Sequence, residues 1–251
     1  MLHNYHTHTF RCHHASGTER EYIERAIEMG LKMLGFSDHA PHYAARDNDY
    51  YPHWCMRPEL MDEYVTTVRA LAKEYAGDIR ILCGVEIEYS PESHGENKEF
   101  LQQFGLDYML LGQHVLGSSK AQYLIDRTND EDLGRYVTSV LSALETGDFL
   151  YLAHPDLNGV AFSQGAVERE YRRLCEGAKR LGIPLELNLL GLRTGRCYPS
   201  TKFFEIAAGV GNEVVLGIDA HSAGEFGEAS GVNEGEAMAK RLGLNLREKL
   251  L

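Results

Sequence analysis

The sequence lacks an apolar run of the roughly 20 residues that a membrane-spanning helix needs. No basic segment followed by an apolar stretch opens the chain, so we expect no secretory signal. The five cysteines are scattered and odd in number, which predicts neither a disulfide framework nor a paired-cysteine zinc module. These absences favour a protein of the reducing cytoplasm with no membrane partner.

Positive charge is scarce, since 25 Lys and Arg stand against 37 Asp and Glu, a formal net charge of −12. This balance argues against an extended nucleic-acid surface. No low-complexity tract or Pro/Gly/Ser linker divides the 251 residues, of which 43% are hydrophobic. We therefore expect residues 1–251 to form a single domain with a full-sized core. The sequence favours no particular oligomeric state.

Short apolar runs alternate with stretches of helical periodicity. The runs predict strands at 2–8, 33–38, 79–87, 108–111, 149–153, 184–190 and 214–218. Helices are predicted near 18–30, 58–72, 96–104, 130–146, 166–181, 201–209 and 233–241, the first opened by a capping box of Thr18 and Glu21. Continuously apolar strands are typical of parallel sheets buried on both faces. The pattern predicts an α/β fold, either a closed barrel or an open doubly wound sheet.

Histidines and acidic residues recur where the predicted strands end. They occur in the motifs HTHT, FSDHAPH, GVEIEY, GQH, AHPD and GIDAHS. A single histidine at a strand end is usually structural, but so many buried ionisable groups would carry a heavy desolvation cost unless they bound an ion. Imidazole and carboxylate ligands suit Zn, Mn and Fe. We therefore predict a metal site at the carboxyl ends of the strands, where α/β barrels build their active sites.

The spacing within two motifs supports this prediction. Side chains alternate along an extended strand, so His6 and His8 point to the same side and can bind one ion. The same reasoning pairs Asp219 with His221.

Taken in order from His6 to Ser222, these motifs resemble the PHP (polymerase and histidinol phosphatase) superfamily. The chain is most similar to the histidinol-phosphatase branch, through SGT at 16–18 after the HH pair, DHAP, LELNLLGLR at 185–193 and YPS at 198–200. The resemblance implies a distorted (β/α)7 barrel with three divalent metal ions, drawn from Zn, Mn and Fe.

Nine positions match the family's ligand pattern: His6, His8, His14, His39, Glu86, His114, His154, Asp219 and His221. The resemblance assigns the first ion to His6, His8, Glu86 and Asp219, and the third to His14, His39 and His221. Glu86 would bridge to the second ion, which His114 and His154 complete. The pattern places a ligand directly before the Ala of HA, which favours His14 over His13.

The resemblance also suggests a mechanism. A metal-bridging hydroxide, held by Glu86 with Asp219, would attack the phosphorus of a small phosphomonoester. Arg193 and Arg196 are candidates for binding the phosphate oxygens, against the alternative of solvated loop cations. His42 and Asp156 are candidates for protonating the leaving alkoxide, or for orienting a ligand imidazole.

Other residues near the motifs carry weaker predictions. We expect Cys12 to pack beside the histidines rather than bind a metal. Tyr50, Tyr51, His53 and Trp54 would either cover the organic part of the substrate or pack on one another. Glu88 and Glu186 are candidates for orienting ligands, with no spacing argument in their favour.

The favoured function is hydrolysis of L-histidinol phosphate to L-histidinol and phosphate in histidine biosynthesis. Three alternatives remain. The first is a PHP phosphoesterase that acts on another small phosphomonoester or nucleotide. The second is an amidohydrolase-like barrel, and the third is a non-catalytic metal-binding regulatory module. The amidohydrolase alternative expects a bridging Lys at the fourth strand end, where this chain has Gln113 and His114. The regulatory alternative expects lost ligands, whereas all nine positions are filled.

Overall fold

The computed structural model describes residues 1–45, 53–116, 129–157 and 162–251. These residues divide into two compact units, each discontinuous in sequence. The first comprises Met1–Ile87, Pro91–Leu110 and Gly217–Ser230, and the second comprises Glu88–Ser90, Leu111–Leu216 and Gly231–Leu251. A single domain over residues 1–251 stays a prediction.

A four-stranded sheet contains β1 (His3–Asn4), β2 (Met33–His39), β3 (Arg80–Ile87) and β4 (Tyr108–Leu111), in that order. The β1–β2 and β2–β3 pairs are parallel. All of β2 is buried, as is β3 after its first residue, which explains why both read as continuous apolar runs. The register sets His39 opposite Glu86, so two ionisable residues reach the same edge of the sheet.

The first unit also contains α1 (Glu19–Glu28), α2 (Met61–Glu74) and α3 (His94–Gln102). The predicted capping box is confirmed, because the Thr18 side chain accepts from the Glu21 backbone while the Glu21 side chain accepts from the Thr18 backbone. Short 3-10 helices cover Phe10–Cys12, Tyr43–Ala45, Pro58–Leu60, Ala223–Glu225 and Gly227–Ser230.

Tyr108 packs its ring against the two central strands of this sheet. Its hydroxyl oxygen lies 2.7 Å from the backbone oxygen of Tyr5 and 3.0 Å from that of Phe36, which share its one hydrogen. Gly35 on β2 and Gly84 on β3 leave the space that the ring occupies. This packing supports the strands whose ends carry His39 and Glu86.

The second unit contains α4 (Asp130–Leu144), α5 (Gln164–Leu181), β5 (Leu185–Asn188), α6 (Leu189–Arg193) and α7 (Thr201–Val210). β6 (Glu213–Gly217), α8 (Val232–Leu242) and β7 (Asn245–Leu246) follow, and the second sheet has the order β5-β6-β7. The β6–β7 pair is parallel.

Three strand predictions need correction. The first strand ends at Asn4 rather than at His8. The predicted strand at 149–153 is reduced to Leu152, which forms isolated parallel bridges with Leu111 and Leu185. The predicted strand at 184–190 ends at Asn188, because the Asn188 side chain accepts from the Gly191 backbone at 3.1 Å and caps α6. β7 was not predicted.

Among the described residues, none of the helices combines the length and the apolar character needed to cross a bilayer.

Candidate metal centre

The segment that carries HTHT is held by residues near position 220 of the same unit. Thr7 forms a parallel bridge with Ala220, and the His8 amide donates to the Ala220 oxygen at 2.9 Å. The Asp219 amide donates to the His6 oxygen at the same distance. The two histidines therefore lie beside Asp219 without belonging to a regular strand.

Three buried side chains, those of His6, His8 and Asp219, converge at this point. The Nε2 atoms of His6 and His8 are 3.1 Å apart. Asp219 Oδ1 lies 3.0 Å from His8 Nε2 and 3.5 Å from His6 Nε2. The three residues offer one ligand atom each within a space that a single ion would fill.

Glu86, at the end of β3, contributes a second carboxylate. Its Oε2 atom lies 3.2 Å from His39 Nδ1, 3.4 Å from His6 Nε2 and 3.5 Å from His8 Nε2. The parallel register of β2 and β3 explains the contact with His39. One carboxylate oxygen thus faces three imidazole nitrogens, an arrangement suited to a shared ligand.

His14, His39 and His221 form a second grouping in the same unit. The Nε2 atoms of His14 and His221 are 3.0 Å apart. His14 Nδ1 lies 2.8 Å from the Cys12 carbonyl oxygen, which can only accept, so Nδ1 carries the hydrogen and Nε2 the lone pair. His13 is exposed and ends the 3-10 helix with φ 67°. The structure thus brings His14 beside His221, while the identity of the ligand stays a prediction.

The pKa values of this cluster favour ligand protonation states for two of its members. Burial alone would raise the pKa of Asp219, but His6, His8 and His221 hold it well below the usual value. Burial, with the nearby His8, lowers the pKa of His221 to about 3. Burial also lowers the pKa of His8, but Asp219 and Asp38 more than offset this and raise it well above the usual value. A divalent ion bound by His8 would therefore displace a proton.

Sequence reasoning assigned no role to the polar residues that support His8. Asp38 Oδ1 lies 3.5 Å from His8 Nδ1 and accepts from the His39 amide at 2.9 Å. Thr9 donates its hydroxyl to the other oxygen of Asp38, and the buried Arg11 donates to Thr9 at 3.3 Å. Such partners fix the orientation of a ligand imidazole. The position of Asp38, next to His39 at a strand end, is the signal that could have found it.

Cys12 lies beside the same histidines. Its thiol donates to the Thr9 carbonyl at 3.0 Å, and burial raises its pKa. Its sulfur is nonetheless close enough to His8 and His221 to share an ion with them. The hydrogen bond and the raised pKa favour packing, and that role stays a prediction.

The second unit brings His114 and His154 together, with ring centroids 4.6 Å apart. His154 has a left-handed backbone, with φ 27°, and its amide donates to the buried Glu186 at 2.9 Å. Glu186 also accepts from Asn188 at 2.9 Å and from Tyr151 at 3.1 Å. This carboxylate holds an unusual turn that aims the His154 side chain.

The candidate proton donors differ in their surroundings. His42 is partly buried, and its ring meets that of Trp54 edge to face, 6.1 Å between centroids. Asp156 is buried, accepts from the Ser200 amide and has its pKa raised to about 7 by burial. The bond to Ser200 links Asp156 to the N-terminus of α7, which favours a positioning role.

The two candidate phosphate-binding arginines are separated by the end of a helix. Arg193 is the last residue of α6, and Arg196 is exposed on the loop that follows. Arg196 Nη1 donates to the Tyr198 hydroxyl at 2.8 Å. The Tyr198 ring lies 6.3 Å from that of His154. Arg196 is thus connected through Tyr198 to the surroundings of His154, and contact of either arginine with a substrate stays a prediction.

Of the aromatic loop, Tyr50 and Tyr51 lie outside the described residues. Trp54 meets His39 edge to face, with centroids 5.2 Å apart and planes at 77°. The adjacent chain is anchored by the Met56 amide, which donates to the His39 oxygen at 3.1 Å.

Trp54 is the single tryptophan of the protein, and its ring contacts that of His39. Its fluorescence is therefore a probe of the surroundings of His39. We expect its fluorescence to change when a divalent ion binds, and Mn²⁺, being paramagnetic, to quench it more than Zn²⁺. A fluorescence titration of the metal-depleted protein measures this. The His39→Ala variant keeps the fluorophore and should lose the change. Unaltered emission during measured metal uptake would contradict the placement of Trp54.

A family model described as the PHP domain matches residues 4–189. The chain belongs to this family. It is 31% identical over 232 residues to a probable histidinol-phosphatase of Deinococcus radiodurans, covering 88% of this chain and 87% of that protein. It is 27% identical over 254 residues to the histidinol-phosphatase of Bacillus subtilis, covering 89% and 95%.

A solved histidinol phosphate phosphatase from Lactococcus lactis, complexed with zinc, L-histidinol and phosphate, is similar in fold. The TM-score is 0.75 at 17% identity, covering 98% of this chain and 95% of that one. The α/β fold class predicted from the sequence is thereby confirmed, as is the resemblance to the histidinol-phosphatase branch of the PHP family.

The donor set of this PHP domain fits divalent transition metals. The clusters of the first unit supply imidazole nitrogens and carboxylate oxygens, ligands that Zn, Mn and Fe accept. The depressed pKa of Asp219 keeps that carboxylate ionised at neutral pH, as metal binding requires. The chain therefore carries the residues for divalent metal binding.

Proposed function

We propose that the protein is a metal-dependent phosphomonoesterase that hydrolyses L-histidinol phosphate to L-histidinol and phosphate. The observation that carries this proposal is the buried convergence of His6, His8, Glu86 and Asp219. Relatives that match over most of their length are named histidinol-phosphatases. The related solved structure, complexed with zinc, L-histidinol and phosphate, supports the substrate class and the need for metal.

We propose that three divalent ions, drawn from Zn, Mn and Fe, are the cofactors. His6, His8, Glu86 and Asp219 would hold the first ion. His14, His39 and His221 would hold the third, since their ligand atoms also lie close together. The assignment of the second ion to His114 and His154 stays a prediction from the family pattern.

Bound ions would supply positive charge to the phosphate oxygens. They would also lower the pKa of a bound water molecule, so that hydroxide is available at neutral pH. Residues of the chain would hold the ligands in place, bind the phosphate and protonate the leaving group. Glu86 and Asp219 keep the imidazoles in place and balance part of the ionic charge. Arg193 and Arg196 are proposed to donate to phosphate oxygens, and His42 or Asp156 to protonate the leaving alkoxide.

The proposal is tested by kcat/KM for L-histidinol phosphate on the metal-loaded enzyme, beside p-nitrophenyl phosphate and a panel of nucleotides. We expect about 10⁴ M⁻¹s⁻¹ or more for L-histidinol phosphate, with clear preference over the panel and loss of activity after chelation. Slow, indiscriminate hydrolysis would keep the phosphoesterase and reject the histidine-pathway substrate. Absence of any hydrolysis would reject the enzyme.

A further inference from the structure

Glu88 is a buried carboxylate that directly follows β3 in the chain, and the ligand pattern assigns it no role. Its side chain is only 4% exposed. The His114 amide donates to both of its oxygens, at 3.0 and 2.9 Å, and the Val115 amide lies 3.4 Å from Oε2. Glu88 thus holds the backbone turn that carries His114, within the second unit.

The same carboxylate reaches the ring of His114. The Nδ1 atom lies 2.7 Å from Oε1 of Glu88. An ionised carboxylate can only accept, so Nδ1 must carry the hydrogen and Nε2 the lone pair. A hydrogen bond of this kind, on the far side of the ring from the ion, is how proteins usually orient a metal-ligating histidine.

We infer that Glu88 is a positioning residue that sets the tautomer and the orientation of His114 for a divalent ion at Nε2. The inference rests on the proposed function, because it needs an ion at His114. One group holds both the backbone and the ring, so the imidazole is kept in place and in the tautomer with hydrogen on Nδ1 before the ion arrives.

A purely structural role for Glu88 predicts something different. A carboxylate that only accepted hydrogen bonds from the amides of residues 114 and 115 would stabilise the turn. It would have no effect on the tautomer or orientation of the His114 imidazole. Glu88→Gln separates the two roles. The glutamine amide keeps one oxygen to accept from the backbone, but its NH₂ group opposes Nδ1–H. The substitution therefore favours the tautomer with hydrogen on Nε2, which has no lone pair at Nε2 for a metal.

The decisive experiment is a double-mutant cycle on Zn²⁺ affinity, measured by competition with a chelator. In the native background, Glu88→Gln should weaken the most labile Zn²⁺ site by about 10- to 100-fold. In the His114→Ala background, the same change should alter affinity by less than about twofold, because the group through which it acts is gone. Glu176→Gln, on the exposed side of α5, is the matched control and should alter neither.

A second readout is the ¹⁵N NMR signature of His114, whose protonated nitrogen should be Nδ1 in the native protein and Nε2 in Glu88→Gln. Unchanged affinity in Glu88→Gln overturns the inference and leaves the proposed function standing. Equal weakening in both backgrounds overturns it in favour of a structural role. A native protein that binds none of Zn²⁺, Mn²⁺ and Fe²⁺ overturns the proposed function and the inference together.

Discussion

Glu86→Gln should reduce kcat/KM for L-histidinol phosphate by about 10³-fold or more, with the loss of at least one bound metal ion. Glu86 Oε2 faces His6, His8 and His39 at 3.2–3.5 Å, so the neutral amide weakens every ion that these ligands hold. A bound ion contributes several kcal/mol of transition-state charge stabilisation, and about 1.4 kcal/mol corresponds to a tenfold change in rate. Steady-state kinetics and metal analysis of the purified protein measure both effects.

The matched control is Glu99→Gln, which makes the same chemical change on the exposed surface of α3 and should retain activity and metal. Circular dichroism distinguishes loss of the site from loss of the fold. A folded Glu86→Gln variant with native metal content and an undiminished rate would contradict the proposed role of this carboxylate.

Gly84→Ala should destabilise the first unit by about 3 kcal/mol, the upper part of the range for overpacking a core. A Cβ atom at this position would lie 2.6–2.7 Å from three atoms of the Tyr108 ring. The ring cannot move away without breaking the hydrogen bonds from its hydroxyl to Tyr5 and Phe36. Thermal denaturation should show a melting temperature lower by about 6–12 °C.

Gly209→Ala is the control, because nothing lies within 4 Å of its added Cβ and it sits inside α7. Ala is the better helix former, so this variant should be at least as stable as the native protein. Replacing Tyr108 by Leu in the Gly84→Ala background should give a combined cost below the sum of the two single changes. If the free-energy costs of the two single changes simply added, the Tyr108 ring would not be the cause of the destabilisation by Gly84→Ala.

The longer helices were predicted well because amphipathic periodicity and capping are local signals, whereas the short α6 was not predicted. α4 and α5 begin and end within two residues of their predicted bounds. Strand predictions were less accurate, because pairing depends on distant residues. An apolar run at 149–153 does not reveal that only Leu152 finds partners. Nor does the run at 184–190 reveal that Asn188 ends the strand by capping α6.

The proximity of several candidate ligands in the first unit was predictable because they lie in motifs at or near the ends of predicted strands, while their role as ligands stays a prediction. His6 and His8 meet as expected, although the extended backbone there is held by Ala220 rather than by a regular strand. The supporting carboxylates were harder to predict. Glu88 and Glu186 owe their roles to hydrogen bonds with residues more than 20 positions away, which no spacing within a motif encodes.

The pairing of the HTHT segment with residues near 220 determines when the candidate metal centre can form during synthesis. His14 and His221 are 207 positions apart in the chain, yet their Nε2 atoms lie 3.0 Å apart. At about 5–20 residues per second, a ribosome needs about 10–40 s to make the second histidine after the first. During that interval the early imidazoles have neither Asp219 nor His221 beside them. The candidate metal centre therefore cannot be completed until Asp219 and His221 have been synthesised, and a nascent chain that stops before residue 217 lacks the last segment of the first unit.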